Sequence, residues 1–333
     1  MNQRQEVSVL PAEKGGVCLN NTSSLTVGEY ACRVIAEQYG RMVEQEVGVL
    51  ADQDPEYLHQ MRVGSRRLRT ALQVFSPVIK LPKKAGERQI RAIARTLGAL
   101  RDLDVQIADI ETDYVRQIKR KSEQKALKRT LTALRKQRLQ AFAQVSNLLT
   151  QSDYQQLKVV YEGWLQSPQF KAIAQLPLLL VLVDLLNPLL SKLLLHPGWL
   201  ISSQDTSKAS RLRLHDLRKT CKYVRYQAEF FREFYDSSFQ AWIEELKLLQ
   251  DNLGKVQDTY VLSSLLANQL QHSTPLTELQ QAIQDNRNQA LMGWETIRHR
   301  YLTSDFRDYL HQLILHPIQL GNSHSVMVPR NSK

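Results

Sequence analysis

The stretch LHQMRVGSRRLRTAL, residues 58–72, carries His59, Arg62, Arg66 and Arg69 at intervals of three, four and three. At about 100° per residue, the three arginines fall at about 300°, 340° and 280° from His59, so all four share a helical wedge of roughly 80°. Leu58, Met61, Leu68, Leu72 and Phe75 fall between about 160° and 260°, which gives the same helix an apolar side for a core. Guanidinium groups in a row suit phosphate-like oxyanions, because each can donate two parallel hydrogen bonds. An imidazole among such cations is lowered in pKa by repulsion and raised again by a bound anion, so it can donate to phosphate and strengthen binding at mildly acidic pH.

Most charged helix faces are only solvated surface, and this one departs from that pattern in its lack of counter-charge. From Tyr57 to Gly86 there are seven Lys or Arg and no Asp or Glu, so the i,i+4 ion pairs that support an ordinary exposed helix are missing from the segment. The pattern also recurs. Residues 214–231, LHDLRKTCKYVRYQAEFF, match 58–75 at an offset of 156, pairing Leu58 with Leu214, His59 with His215, Arg62 with Arg218, Arg69 with Arg225 and Phe75 with Phe231. Lys222 stands opposite Arg66, Arg67 has Tyr223 as its counterpart, and Lys219 adds a further cation. LGALRDLDV (97–105) falls on LGKVQDTYV (253–261) at the same offset. Two separate matches at one shift predict a duplicated unit of several helices.

More basic groups accompany the signature helices. Arg91 and Arg95 lie at i and i+4, Lys247 falls opposite Arg91, and Lys255 follows Gly254. Gly98 and Gly254 are candidates for close helix approach, and Asp102 and Asp258 for orienting cations. Residues 115–138 hold ten Lys or Arg against one Glu, but these spread around the helix and read as a solvated face.

The elements that position these residues are helices. Beyond residue 25 nearly every segment has 3.6-residue apolar periodicity and none sustains a period of two. Helices are expected near 27–50, 55–75, 86–111, 120–150, 152–165, 178–195, 209–234, 238–270, 275–301 and 304–315, with breaks where Pro, Gly and Ser cluster, HSTP (272–275) among them. The resulting organisation is all-α: a disordered arm over 1–25, a first helical half over 26–170, a second over 171–318 and a disordered tail over 319–333. The two halves are read as similar antiparallel bundles about an approximate two-fold axis.

The 333 residues are 43% hydrophobic, enough to fill a core, and carry a formal charge of +11, which favours polyanionic partners. Cys18, Cys32 and Cys221 form no C-x-x-C, indicating neither a disulfide framework nor a zinc site and fitting a reducing cytoplasm. LPLLLVLVDLLNPLLSKLLL (176–195) is interrupted by Asp184, Asn187, Pro188 and Lys192, and reads as a buried bundle helix rather than a membrane span.

The paired signature helices, with LGALRDLDV after the first, resemble the CHAD family, a histidine-containing helical domain that binds inorganic polyphosphate. The likeness runs over roughly residues 27–318. It implies two helical bundles facing one another, with basic residues lining a central channel or groove that holds the polymer. By this resemblance His59, Arg62, Arg66 and Arg69 line one half, and His215, Arg218, Lys222 and Arg225 the other. The implied role is non-enzymatic binding, with no cofactor and no metal, and with localisation in the cytoplasm at polyphosphate granules.

Two other classes compete. His215–Asp216 is an HD dipeptide of the kind found in metal-dependent phosphohydrolases, but Gln60 follows His59 and such a site needs further His and Asp ligands. EQEVG (44–48) lacks the lysine of an E-x-E-x-K triphosphatase strand, and no phosphate-cradling G-x-x-x-x-G-K-[ST] occurs. The stronger rival is a sequence-indifferent RNA or DNA binder. With 7% aromatic residues, only Tyr223 and Tyr226 offer stacking platforms in the basic helices, which gives single-strand recognition little support.

Overall fold

The computed structural model describes residues 25–269 and 276–318. The expected arm and tail, the HSTP break and Cys18 lie outside the described residues, Leu25 and Ile318 being the outermost positions placed. Twelve α-helices and no β-strand occur among the described residues: α1 (Val27–Val43), α2 (Glu46–Ala51), α3 (Pro55–Val74), α4 (Glu87–Asp109), α5 (Lys121–Thr150), α6 (Ser152–Gln166), α7 (Leu178–Leu194), α8 (Lys208–Phe230), α9 (Ser237–Gln269), α10 (Thr277–Ala290), α11 (Trp294–Leu302) and α12 (Ser304–Leu315).

Local chemistry starts the helices that matter to the site. A capping box opens α1, with the Thr26 hydroxyl accepting from the Glu29 N–H and the Glu29 carboxylate accepting from the Thr26 N–H. Asp54 caps α3 by accepting from the Glu56 N–H at 2.8 Å, and Pro55 sits at the first helical position, where no N–H is needed. Ser207 caps α8 by accepting from the Ser210 N–H at 3.2 Å.

Two helices expected to be continuous are broken. The first, expected over 27–50, is interrupted at Glu44–Gln45, and α2 swings so that Gly48 meets the ring of Tyr57. A Cβ on Gly48 would stand 2.2 Å from that ring, so the approach requires glycine. The helix expected over 275–301 divides at Gly293, whose φ of 78° suits a residue without a Cβ. The bend carries Trp294 into the core, where it stacks on Trp199 at 5.8 Å and donates from Nε1 to the Ile201 carbonyl at 2.8 Å.

Packing follows one order twice: α1 on α3, α3 on α4 and α4 on α5, then α7 on α8, α8 on α9 and α9 on α10. The main apolar core runs unbroken through both series, and α3 meets α8 within it. Phe75 and Phe231, the repeat-related ends of those helices, touch edge to face at 6.0 Å, with Tyr30 against both. A second core joins the start of α5 and the end of α4 to α9 and α10. There the buried Glu123 carboxylate of α5 accepts from the Leu279 N–H of α10 at 2.9 Å, while Glu278 of α10 accepts from the Lys119 and Arg120 N–H groups before α5. Each helix N-terminus is thus capped by a carboxylate from the other.

The apolar segment 176–195 is less completely buried than its composition suggested. Leu178–Leu200 is long and apolar enough to cross a membrane by length and composition. In the fold α7 buries Leu178, Leu182, Leu186, Leu190 and Leu193 against the core, while Leu180 is 65% and Leu195 76% exposed. One side of a helix is all that a single neighbouring layer covers.

Candidate polyanion site

The signature faces of α3 and α8 converge. Burial is the main influence on the Lys222 ammonium, followed by the charges of Arg66, Arg62, Arg218 and Arg225, and together they pull it down to about 6. Arg66 is likewise drawn down, to about 10, by burial and then by Arg62, while Tyr226 and Asp102 oppose this and Arg218 adds to it. Both residues are half-buried, and neither has a salt bridge among the described residues. Five basic groups from two helices therefore share one seam, and Arg66 and Lys222 within it have no carboxylate of their own among the described residues.

The repeated neighbours on α4 and α9 shape the flanks of the seam. An added Cβ at Gly98 would stand 3.5 Å from Arg62 Nε, and one at Gly254 would stand 3.2 Å from Arg218 Nε. Each glycine thus leaves room for the arginine stem beside it. Asp102 accepts from Arg62 at 3.3 Å, whereas Asp258 lies near enough to act on Arg218 without a bond to it. His59 Nδ1, His215 Nδ1, Arg62 Nε and Arg218 Nε are all buried without a hydrogen-bond partner. Such orphans cost about 1–3 kcal/mol each, and these four form two pairs at the repeat offset. Burial lowers both histidines, helped by Arg101 at His59 and by Lys219 at His215.

Other expected residues are tied down. Arg69 pairs with Glu87, which also accepts from Gln73 at 3.1 Å. Arg225 pairs with Glu229, which binds Arg67 across the two helices as well. Lys219 is exposed and bridges to Asp216 at 2.7 Å. Arg91, Arg95 and Lys255 are exposed on α4 and α9, Lys247 is exposed beside Glu244 at 3.6 Å, and none of the four is among the main charges acting on Arg66 or Lys222. Within 115–138, Arg138 is held by Asp52 and Asp104 and Arg135 by Glu111, while Lys121, Lys125, Lys128, Arg129 and Lys136 are exposed.

Tyr226 is not a stacking platform. It is only 5% exposed, and its ring is occupied by Arg225 at 4.7 Å, Arg67 at 5.6 Å and Lys222 at 5.8 Å. Tyr223 has Lys192 over its ring at 5.0 Å. The carboxylate of the HD dipeptide is also engaged: His196 Nδ1 accepts from the Gly198 N–H, leaving Nε2 to donate to Asp216 at 3.2 Å. No group of three His, Cys, Asp or Glu side chains that could hold a metal ion occurs among the described residues.

Four residues escaped the sequence reading. Arg101 acts on His59 and on Asp109, whose carboxyl is pushed up to about 6 by burial and by Asp258 and Asp113. Its repeat position holds Gln257, so recurrence could not single it out. Glu229 corresponds to Gln73 and Glu87 to Ile243, so the carboxylate partner occupies different positions in the two halves. His196 lies in HPGWL, 20 residues before the Asp216 it engages.

The fold and seam define an all-helical bundle protein built around a half-buried cluster of cations. The chain belongs to the CHAD domain family, which matches residues 33–267. It is similar to the CHAD domain from the plant Ricinus communis, a crystal structure, with a TM-score of 0.55 and 23% identity over 93% of this chain and 99% of that one. It is also similar to PptA from Streptomyces chartreusis, with a TM-score of 0.55 and 13% identity over 87% of this chain and 99% of that one. These likenesses establish the fold. A search of curated proteins finds no match.

Proposed function

We propose that the protein binds inorganic polyphosphate without transforming it, along a groove between two halves that arose by duplication. The observation that carries this reading is the pairing of Arg66 with Lys222 inside a seam that also holds Arg62, Arg218 and Arg225. A fold keeps the unpaired Arg66 and Lys222 half-buried at a cost, and a polyanion would offset that cost on binding. Cations one helical turn apart, about 5.4 Å, can engage successive or alternate phosphates of a chain that is charged at every unit and has no bases to read. His59 and His215 would donate to phosphate oxygens at the ends of the two rows. Membership of the CHAD family favours a binding domain over a catalytic one.

Burial of Tyr226 weighs against single-stranded nucleic acid, which uses exposed aromatic faces. The role extends to recruitment of the protein to polyphosphate granules in the cytoplasm, which a fluorescent fusion in the native cell tests by co-localisation. Binding itself is tested by reversing charge at Arg66 and Arg218 together. Polyphosphate affinity should be lost while helicity is retained; retained affinity would place binding on another face.

A further inference from the structure

The first half of α5 carries a second group of cations, which the seam does not use. Lys121, Lys125, Lys128, Arg129 and Lys136 are all exposed, and at about 100° per residue they fall at about 0°, 40°, 340°, 80° and 60°, within one wedge of about 100°. The buried residues of this stretch, Glu123, Ala126, Leu127, Thr130, Leu131 and Leu134, fall opposite, between about 140° and 280°. Arg138 falls among these, at about 260°, and is held by Asp52 and Asp104. The spread of charge expected from the sequence is therefore a division into held and free cations, and the free ones form a stripe about 22 Å long.

Ordinary solvation does not account for the stripe. An exposed helix normally answers such a face with acids three or four residues away, whereas the one acid of α5, Glu123, is buried and its carboxylate accepts from the Leu279 N–H. Glu111 serves Arg135 and Glu278 serves Arg120, and none of the five exposed cations has an ion pair among the described residues. Lys121 with Lys125, and Lys125 with Arg129, are like charges at i,i+4, which weaken a helix. The charge is also confined: residues 139–150, the rest of the same helix, hold none.

We propose that this face of α5 is a second polyanion surface, which takes a further segment of a long polyphosphate chain. α5 packs on α4 and α4 on α3, so one helix separates the stripe from the signature helix. Steps of four, three, one and seven residues along the stripe suit no evenly spaced array of partner charges, but a polymer charged at every unit can answer any of them. Four of the five cations are lysines, whose point charges on flexible stems attract phosphate without a set geometry. No aromatic residue occurs between 121 and 138 on which a base could stack. Two linked contacts hold a chain more tightly than either alone, so the stripe makes affinity depend on chain length. The choice of polymer rests on the polyphosphate reading above, whereas the free cation stripe does not.

The test compares the full-length protein with a variant combining Lys121→Gln, Lys125→Gln, Lys128→Gln and Arg129→Gln, which keeps good helix formers on the exposed face. At about 150 mM salt, affinity for long-chain polyphosphate should fall by about tenfold or more, and its salt slope by about three, at about 0.7 per lost contact. Tripolyphosphate, too short to reach both surfaces, should bind unchanged. Equal weakening of both ligands, or of neither, would overturn the proposal. In the unmodified protein, long-chain polyphosphate should slow labelling of Lys121, Lys125 and Lys128 by acetic anhydride relative to the exposed Lys80, and no protection there would overturn it without recourse to any variant. Duplex DNA bound through the same four residues more tightly than polyphosphate would overturn the choice of partner. If Arg66→Glu with Arg218→Glu spares long-chain affinity and the α5 variant removes it, the stripe stands and the seam reading fails. Loss with the seam pair and none with the α5 variant would do the reverse.

Discussion

Replacing Lys222 by methionine should stabilise the empty protein while weakening the proposed polyanion site. In the unfolded chain the amine titrates near 10.4, and in the fold it is held at about 6. Between those values the unfolded chain binds more protons, so stability rises with pH across the window from about 6 to about 10. At about pH 7.5 the difference spans roughly three units, a ceiling of about 4 kcal/mol. Solvent access at a half-buried side chain reduces this to about 2–3 kcal/mol. Met keeps the length of the stem without the amine, so Lys222→Met should raise the unfolding free energy by about 2–3 kcal/mol at about pH 7.5 and flatten its rise toward about pH 9. Burial also lowers His59 and His215, away from this pH. Asp109, raised to about 6, contributes stability only below that pH. Urea unfolding followed by circular dichroism at several pH values measures both quantities. Parallel stability curves for the two proteins, or a less stable variant, would refute the reasoning that Lys222 is an uncompensated amine.

Binding should return a proton to Lys222, so polyphosphate affinity should fall by up to about tenfold per pH unit above about 6. Calorimetry in buffers of different ionisation heat should then register uptake of about one proton, and no uptake would contradict this. Gly254→Leu should displace the Arg218 guanidinium, against which even a Cβ would stand at 3.2 Å, and weaken binding by about tenfold. Gly98→Ala, at 3.5 Å from Arg62, should leave titrations unchanged. Glu123→Ala removes a buried acceptor of the Leu279 N–H, and should cost about 1–3 kcal/mol. Hydrogen exchange should quicken first at the start of α10; unchanged exchange there would show that the cap contributes nothing.

Much of the architecture was legible because amphipathic helices announce their buried side and their ends in local chemistry. The positions of α3, α8 and α9 followed from apolar periodicity, and Asp54–Pro55 and Ser207 mark helix starts that sequence alone can flag. The break at Glu44–Gln45 was not legible, because it depends on Gly48 receiving the ring of Tyr57 from another helix. Gly293 could have been flagged as a bend, but a lone glycine inside an otherwise periodic run does not announce a positive φ.

The seam shows the same division. Recurrence at one offset picked out His59, Arg62, Arg66 and their counterparts, and the structure brings Arg62, Arg66, Arg218, Lys222 and Arg225 together. Recurrence is blind to what the halves do differently. Arg69 is neutralised from α4 by Glu87 and Arg225 from its own helix by Glu229, while Arg101 has no basic counterpart. Arg91, Arg95, Lys247 and Lys255 matched the charge pattern and are exposed, and none is among the main charges acting on Lys222. Tyr226 looked available because sequence does not reveal that three cations already cover its ring.

Converging cation rows should prefer a chain of bare phosphates to one bearing bases. A competition titration decides it, with long-chain polyphosphate displacing labelled single-stranded RNA at matched phosphate concentration and about 150 mM salt, where loose charge attraction is screened. Displacement by polyphosphate well below the equivalent RNA concentration is the expected result. Preferential retention of RNA would contradict the account.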